Sequence, residues 1–157
     1  FLPLLAGVEA ATRRSGQWGA ITGLALGHSR WDMLQSLMEG VALELRWILQ
    51  RLQELGQLPQ ELRMVGGATR SSIWPQIVAN ATGLPLTVPQ VSEAASRGAA
   101  MLAALGAGLC QEVWADGGKA RTIRPVPEHV LFYAELFARF QATFEALYIV
   151  SCQSSKQ

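Results

Sequence analysis

Between Leu34 and Leu55 the apolar residues recur three and four positions apart: Leu34, Leu37, Met38, Val41, Leu45, Ile48, Leu49, Leu52 and Leu55. An α-helix brings that spacing onto one face, and a stripe this long must be covered by something. The stripe predicts one long amphipathic helix, with Glu44, Arg46, Gln50, Arg51 and Glu54 off it. Ser29 or Asp32 is placed to cap its start. Gly56 stops it, and Pro59 keeps it stopped.

Shorter patterns surround the stripe. GAITGLAL, residues 19 to 26, reads as a strand, and so does Leu62 to Val65. After the glycine pair Gly66-Gly67, Ser71 or Ser72 can cap a helix to about Thr82, with Ile73, Trp74, Ile77 and Val78 facing inward and Gly83 ending it. Leu84 to Val88 is a third strand. Ser92 is placed to cap a helix through SEAASRGAAMLAALGAG, with Glu93 where the helix dipole favours an anion. Gln111 to Asp116 reads as a helical turn, Gly117-Gly118 as a loop, Thr122 to Val126 as extended, and Val130 to Tyr148 as a last amphipathic helix. The end, SCQSSKQ, is polar and expected to fray. Strands alternating with helices predict an α/β layer fold. The opening FLPLLAGVEA has no Met and no leader pattern, which reads as a cut from a longer chain.

Composition narrows the partners. Half of the 157 residues are hydrophobic and 16% are charged, so the chain is globular. A net charge of +1 gives no bulk attraction to nucleic acid or to a membrane surface. No apolar run reaches the ~20 residues that span a bilayer. Cys110 and Cys152 are far apart and lack metal spacing, which fits a reducing, cytoplasmic compartment. His28 and His129 have no ligand partners nearby in sequence and read as solvated or core-edge side chains. Arg13 and Arg14 read as a solvated loop, Asp32 as a cap and Asp116 as a turn residue.

The glycine pair leaves two readings open. It can be a tight turn with Ser71 as an ordinary cap. It can also let a ligand press against bare backbone, with N–H groups and a helix dipole turned towards a phosphate or a ribose. The spacing matches neither a GxGxxG nor a GxxxxGK[ST] loop. Gly98, Ala99, Ala103, Ala104 and Ala107 leave one side of a later helix nearly bald. Such a face suits close packing on a sheet or the approach of a flat ligand.

Three stretches in order, MEGVALELRWILQRLQELG, GGATRSSIWPQIVANATGLPLTVP and EAASRGAAMLAALGAG, resemble the C-terminal half of the FGGY carbohydrate kinases. The resemblance runs from about Gly16 to Tyr148. It implies a partial, ribonuclease-H-like C-terminal domain of the actin-like ATPase superfamily over residues 1–150, followed by a polar tail at 151–157. It implies ATP with Mg²⁺ as cofactor and a sugar or polyol as phosphoryl acceptor. Gly66, Gly67 and Ala68 would approach the nucleotide by backbone, Ser71 would reach the adenosine, and the bald helix would pack beneath that site. The catalytic base, the phosphate-clamping Gly-Thr turns and the Mg²⁺ ligands belong to parts of the family not seen here, so no catalytic or metal residue is assigned. The fragment alone is then expected to be inactive, and its uncovered cleft face suits self-association into a homo-oligomer. The alternative is a non-catalytic nucleotide-binding or assembly module derived from such a kinase. Thr69 stands where the family often has Ala and adds bulk beside the expected phosphate path; Asn80 stands where Asp is common.

Overall fold

The computed structural model describes residues 1–5, 19–91, 93–112 and 119–154, with side chains as far as Ile149. Arg13, Arg14, Ser92, Asp116 and the Gly117-Gly118 loop lie outside the described residues. In chain order come α1 (Arg30–Glu54), β1 (Leu62–Arg63), a 3₁₀ turn (Gly67–Arg70), α2 (Trp74–Thr82), β2 (Leu86–Pro89), α3 (Ala94–Gly106), β3 (Ala120–Ile123) and α4 (Pro127–Ser154). The strands form one sheet in the order β1-β2-β3. β1 runs parallel to β2, pairing Leu62 with Leu86, and β3 runs antiparallel, pairing Leu86 with Ile123. Helices α1, α2 and α4 pack against one another beside this small mixed sheet.

The long helix forms as its spacing predicts. Ser29 and Asp32 cap it together: the Ser29 hydroxyl accepts from the Asp32 N–H, and the Asp32 carboxylate accepts from the Ser29 N–H at 2.7 Å. These bonds hold the Asp32 carboxyl below its ordinary range, the Ser29 hydroxyl contributing most. Gly56, at φ +72°, follows the helix end in the left-handed region where a Cβ is unfavourable.

The stripe read from spacing is only partly the buried face of α1: Leu49 is buried, and Leu45 and Ile48 pack on the core. Gly40, Ala42, Leu43, Trp47 and Leu49 are buried, whereas Leu34, Val41 and Leu55 are exposed. The reason is tertiary. The opening segment and α4 cover the side carrying Gly40, Leu43 and Trp47, and a Cβ at Gly40 would collide with the Phe1 carbonyl. Trp47 meets Phe137, Phe140 and Phe144 of α4 edge-on, at centroid distances of 6.5, 6.1 and 4.9 Å. Arg46 lies over the Phe137 ring and donates to the Ala81 carbonyl at 2.9 Å, closing the end of α2 onto α1. The phenol of Tyr133 donates to Glu39 at 3.1 Å, and burial beside that carboxylate pushes its pKa up.

Several expected elements come out differently. Residues 19–26 are not a strand: Ala20 makes one antiparallel bridge with Leu2, and Ile21, Leu24 and Leu26 are exposed. A strand needs a neighbour along its length, and Gly23 at φ +75° breaks the extension after that single bridge. Ile73 is exposed rather than inward, whereas Val78 is buried and Trp74 and Ile77 pack on the core. Helix α4 begins at Pro127 and continues to Ser154, into the stretch expected to fray. Helix α3 buries only Met101, and a Cβ on Gly98 or Gly106 would meet open space. Among the described residues, no neighbour covers the bald face of α3 at Gly98 or Gly106.

Asn80 is buried and ties α2 to the connection leading into α4 and to α4 itself. Its side-chain oxygen accepts from the Gln76 amide and the Val126 N–H, both at 2.9 Å, and its amide nitrogen sits 3.1 Å from the His129 ring. His28 accepts from the Ala25 N–H at 2.8 Å. Both histidines are thus engaged locally, at the surface and at the core edge.

Candidate functional site

The glycine pair joins β1 to the 3₁₀ turn rather than directly to an α-helix. Gly66 has φ +84°, which suits glycine, while Gly67 stands outside the left-handed region. Helix α2 begins only at Trp74. The expectation that its dipole would bear on a ligand at Gly66 and Gly67 therefore fails, because the 3₁₀ turn intervenes. What the turn does offer is bare backbone. Gly67 and Ala68 are exposed, and a Cβ on either glycine would meet nothing within 4 Å.

Thr69 does not obstruct this surface. Its hydroxyl folds back to donate to the Gly66 carbonyl at 2.7 Å, and its own N–H reaches the same oxygen at 3.1 Å. The side chain tightens the turn from within. Arg70 points the other way, to Glu93 beside the start of α3, at 3.4 Å. Ser71 is not the N-cap of α2, which is Ile73, but its hydroxyl oxygen accepts from the Trp74 N–H at 3.1 Å just before the helix starts.

Beside the turn lies an apolar slot of about 390 Å³, lined by Leu37, Met38 and Val41 of α1 and by Ala68, Ser71 and Trp74. It is a shallow depression, widely open to solvent. Ala68 and Ser71 contribute to the slot, whereas Gly66 and Gly67 shape the turn above it. Leu37, Met38, Val41 and Trp74 were legible only as core-facing residues. The missed signal was that α1 carries more apolar surface than one covered face requires. A larger hollow, about 630 Å³, lies between α1, α2 and α4, but its polar lining of Gln35, Glu39, Gln76 and His129 is set away from the glycine pair.

An apolar slot beside bare main-chain N–H groups suits a flat ring joined to a polar, anionic tail. The ring gains from leaving water, and the tail meets donors without side chains in the way. Among the described residues no three His, Cys, Asp or Glu side chains gather as a metal-holding group. None of these residues is assigned to Mg²⁺.

The C-terminal domain model of the FGGY family of carbohydrate kinases matches residues 1–107. The chain belongs to that family. It is 31% identical over 147 residues to a probable L-xylulose kinase of Pasteurella multocida, covering 94% of this chain and 30% of the relative. It is 30% identical to the glycerol kinase of Gloeobacter violaceus over 80% of this chain and 25% of the relative. The crystal structure of xylulose kinase from Rhodospirillum rubrum superposes with a TM-score of 0.75 at 28% identity, covering 96% of this chain and 30% of that one. The mixed α/β fold is thus that of an FGGY kinase C-terminal domain, present in part. The chain spans about 30% of the length of the relatives it matches most fully.

Proposed function

We propose that this chain is the nucleotide-binding half of an ATP-dependent sugar or polyol kinase. Residues 1–150 are its nucleotide-side domain, with α4 continuing into the 151–157 stretch as far as Ser154. The slot formed by Leu37, Met38, Val41, Ala68, Ser71 and Trp74 takes the nucleobase. The backbone of Gly66, Gly67 and Ala68, exposed at Gly67 and Ala68, takes the ribose or the phosphates. The observation that carries this reading is the pairing of an apolar slot with an unobstructed glycine turn on adjoining surface.

In the full-length protein the acceptor hydroxyl oxygen forms a bond to the γ-phosphorus, and the bond from that phosphorus to the β–γ bridging oxygen breaks. The acceptor's proton passes to a base outside this chain, and ADP leaves. This half supplies position rather than proton transfer, which is the larger part of phosphoryl-transfer catalysis. Mg²⁺ would shield the phosphate charge, held by residues elsewhere. The names of the relatives, L-xylulose kinase and glycerol kinase, support a sugar or polyol acceptor bound mainly by the rest of the protein. The reading places the protein in the cytoplasm, where ATP is available. By itself the chain binds ATP or ADP and transfers nothing.

Calorimetric titration with ADP tests this. Heat is expected from the folded chain, and its absence at millimolar ADP would overturn the nucleotide site. Gly67→Val sharpens the test, because Gly67 has no positive φ to confuse it and a new side chain meets no protein atom. ADP affinity should fall by about tenfold or more as the branch fills the ligand's path, with the unfolding midpoint nearly unchanged. Undiminished affinity in the folded variant would remove the turn from the site.

A further inference from the structure

We propose that, in the full-length protein, the polypeptide immediately before Phe1 pairs with residues 20–22 as an antiparallel strand. This rests on the reading above of the chain as one part of a longer kinase. The matched family model is a C-terminal domain, and 94% of this chain aligns with only 30% of the Pasteurella multocida relative. On that reading most of the polypeptide precedes Phe1.

The open end of one short ladder carries the inference. Leu2 and Ala20 form an antiparallel bridge in which each N–H donates to the other's carbonyl, at 2.8 and 3.1 Å. Antiparallel pairs alternate between those that exchange hydrogen bonds and those that do not. Phe1 and Ile21 are therefore the next, unbonded pair, and the bonded pair after it joins Thr22 to the residue before Phe1. The ladder starts from a fixed point, because Phe1 packs on Gly40 of α1, where a Cβ would collide with its carbonyl. Thr22 is open to such a partner. Among the described residues its N–H and carbonyl make no hydrogen bond, and it is exposed. Ile21 and Leu24 beside it are exposed as well. An apolar stretch of strand composition with an unpaired edge is a template for another strand. Pairing supplies main-chain hydrogen bonds, and it takes apolar surface out of water. Gly23, at φ +75°, ends the ladder after Thr22.

Hydrogen exchange read at single amides, in this chain and in the full-length protein, tests the pairing. The bonded Ala20 N–H serves as internal control. The Thr22 N–H should exchange fast in the chain alone and at least about tenfold more slowly in the full-length protein. Fast exchange in both would overturn the inference. Slow exchange in the chain alone would overturn it too, since the partner would then lie within residues 1–157 or in a second copy, which light scattering tells apart. Thr22→Pro removes the N–H at an exposed position. It should leave the unfolding midpoint of the chain unchanged and lower that of the full-length protein by about 2 °C or more. Equal midpoint shifts in the two would count against the strand. The two readings fail separately. A full-length protein that phosphorylates no sugar or polyol while Thr22 is protected loses the kinase reading and keeps the strand; an active kinase with Thr22 open loses only the strand.

Discussion

Two sides of helix α1 carry nearly the same chemistry and meet different fates. On one, Leu43 and Trp47 are buried against the opening segment and the ring stack of Phe137, Phe140 and Phe144. On the other, Leu37, Met38 and Val41 line an open slot beside Ala68 and Ser71. The difference is not in the residues but in what faces them. α4 presents large rings at Tyr133, Phe137, Phe140 and Phe144, which fill the first side. The turn after β1 presents two glycines and an alanine, which fill nothing. Apolar surface that the chain leaves uncovered next to bare backbone is where a ligand gains most from binding.

The sharpest way to break this contrast is Trp47→Ala. Removing a 4%-exposed indole and its three edge contacts should cost about 3–5 kcal/mol in denaturant unfolding. A loss below about 1 kcal/mol would mean the ring stack is not the core. Val41→Ala, on the other side, should cost only about 0.5 kcal/mol of stability, as expected for an exposed position. It should nonetheless weaken ADP by about fivefold through lost apolar contact. Were the two variants to swap effects, the assignment of one side to stability and the other to binding would be reversed.

A local effect concerns the end of α1 away from both sides. Ser29→Ala removes the cap and should cost about 1 kcal/mol at neutral pH. The Asp32 half of that cap depends on pH. Its folded pKa is depressed, so its contribution is present above the unfolded value and is lost as pH falls through the folded one. The stability gap between wild type and Asp32→Asn should therefore be present at pH 7 and close in acid. A gap that widens on acidification would refute the capping role.

Local order was legible wherever one segment sufficed. The span of α1, its Ser29 and Asp32 cap, the stop at Gly56 and the end of α2 at Gly83 all follow from nearby residues. The family motifs were legible too, because they depend on order and spacing. Partnership was not. Residues 19–26 carry a strand's composition but find only Leu2 to pair with. The small residues of α3 suit close packing, yet among the described residues no neighbour comes close to Gly98 or Gly106. Of the expected nucleotide-contacting residues, Ala68 and Ser71 line the proposed slot beside Leu37, Met38 and Val41 of the α1 stripe and Trp74 of α2, all of which read as core-facing.

The sequence by itself determined where α1 begins and ends and where α2 stops, that a glycine turn follows the first strand, and to which family the chain belongs. Those properties depend on backbone preference and on residues a few positions apart. Only the tertiary structure decided which flank of α1 is filled and which stays open, how Thr69 turns out of the way, and that the Ser71 hydroxyl turns to Trp74. Burial is a property of pairs of surfaces, and a periodic pattern names just one member of each pair.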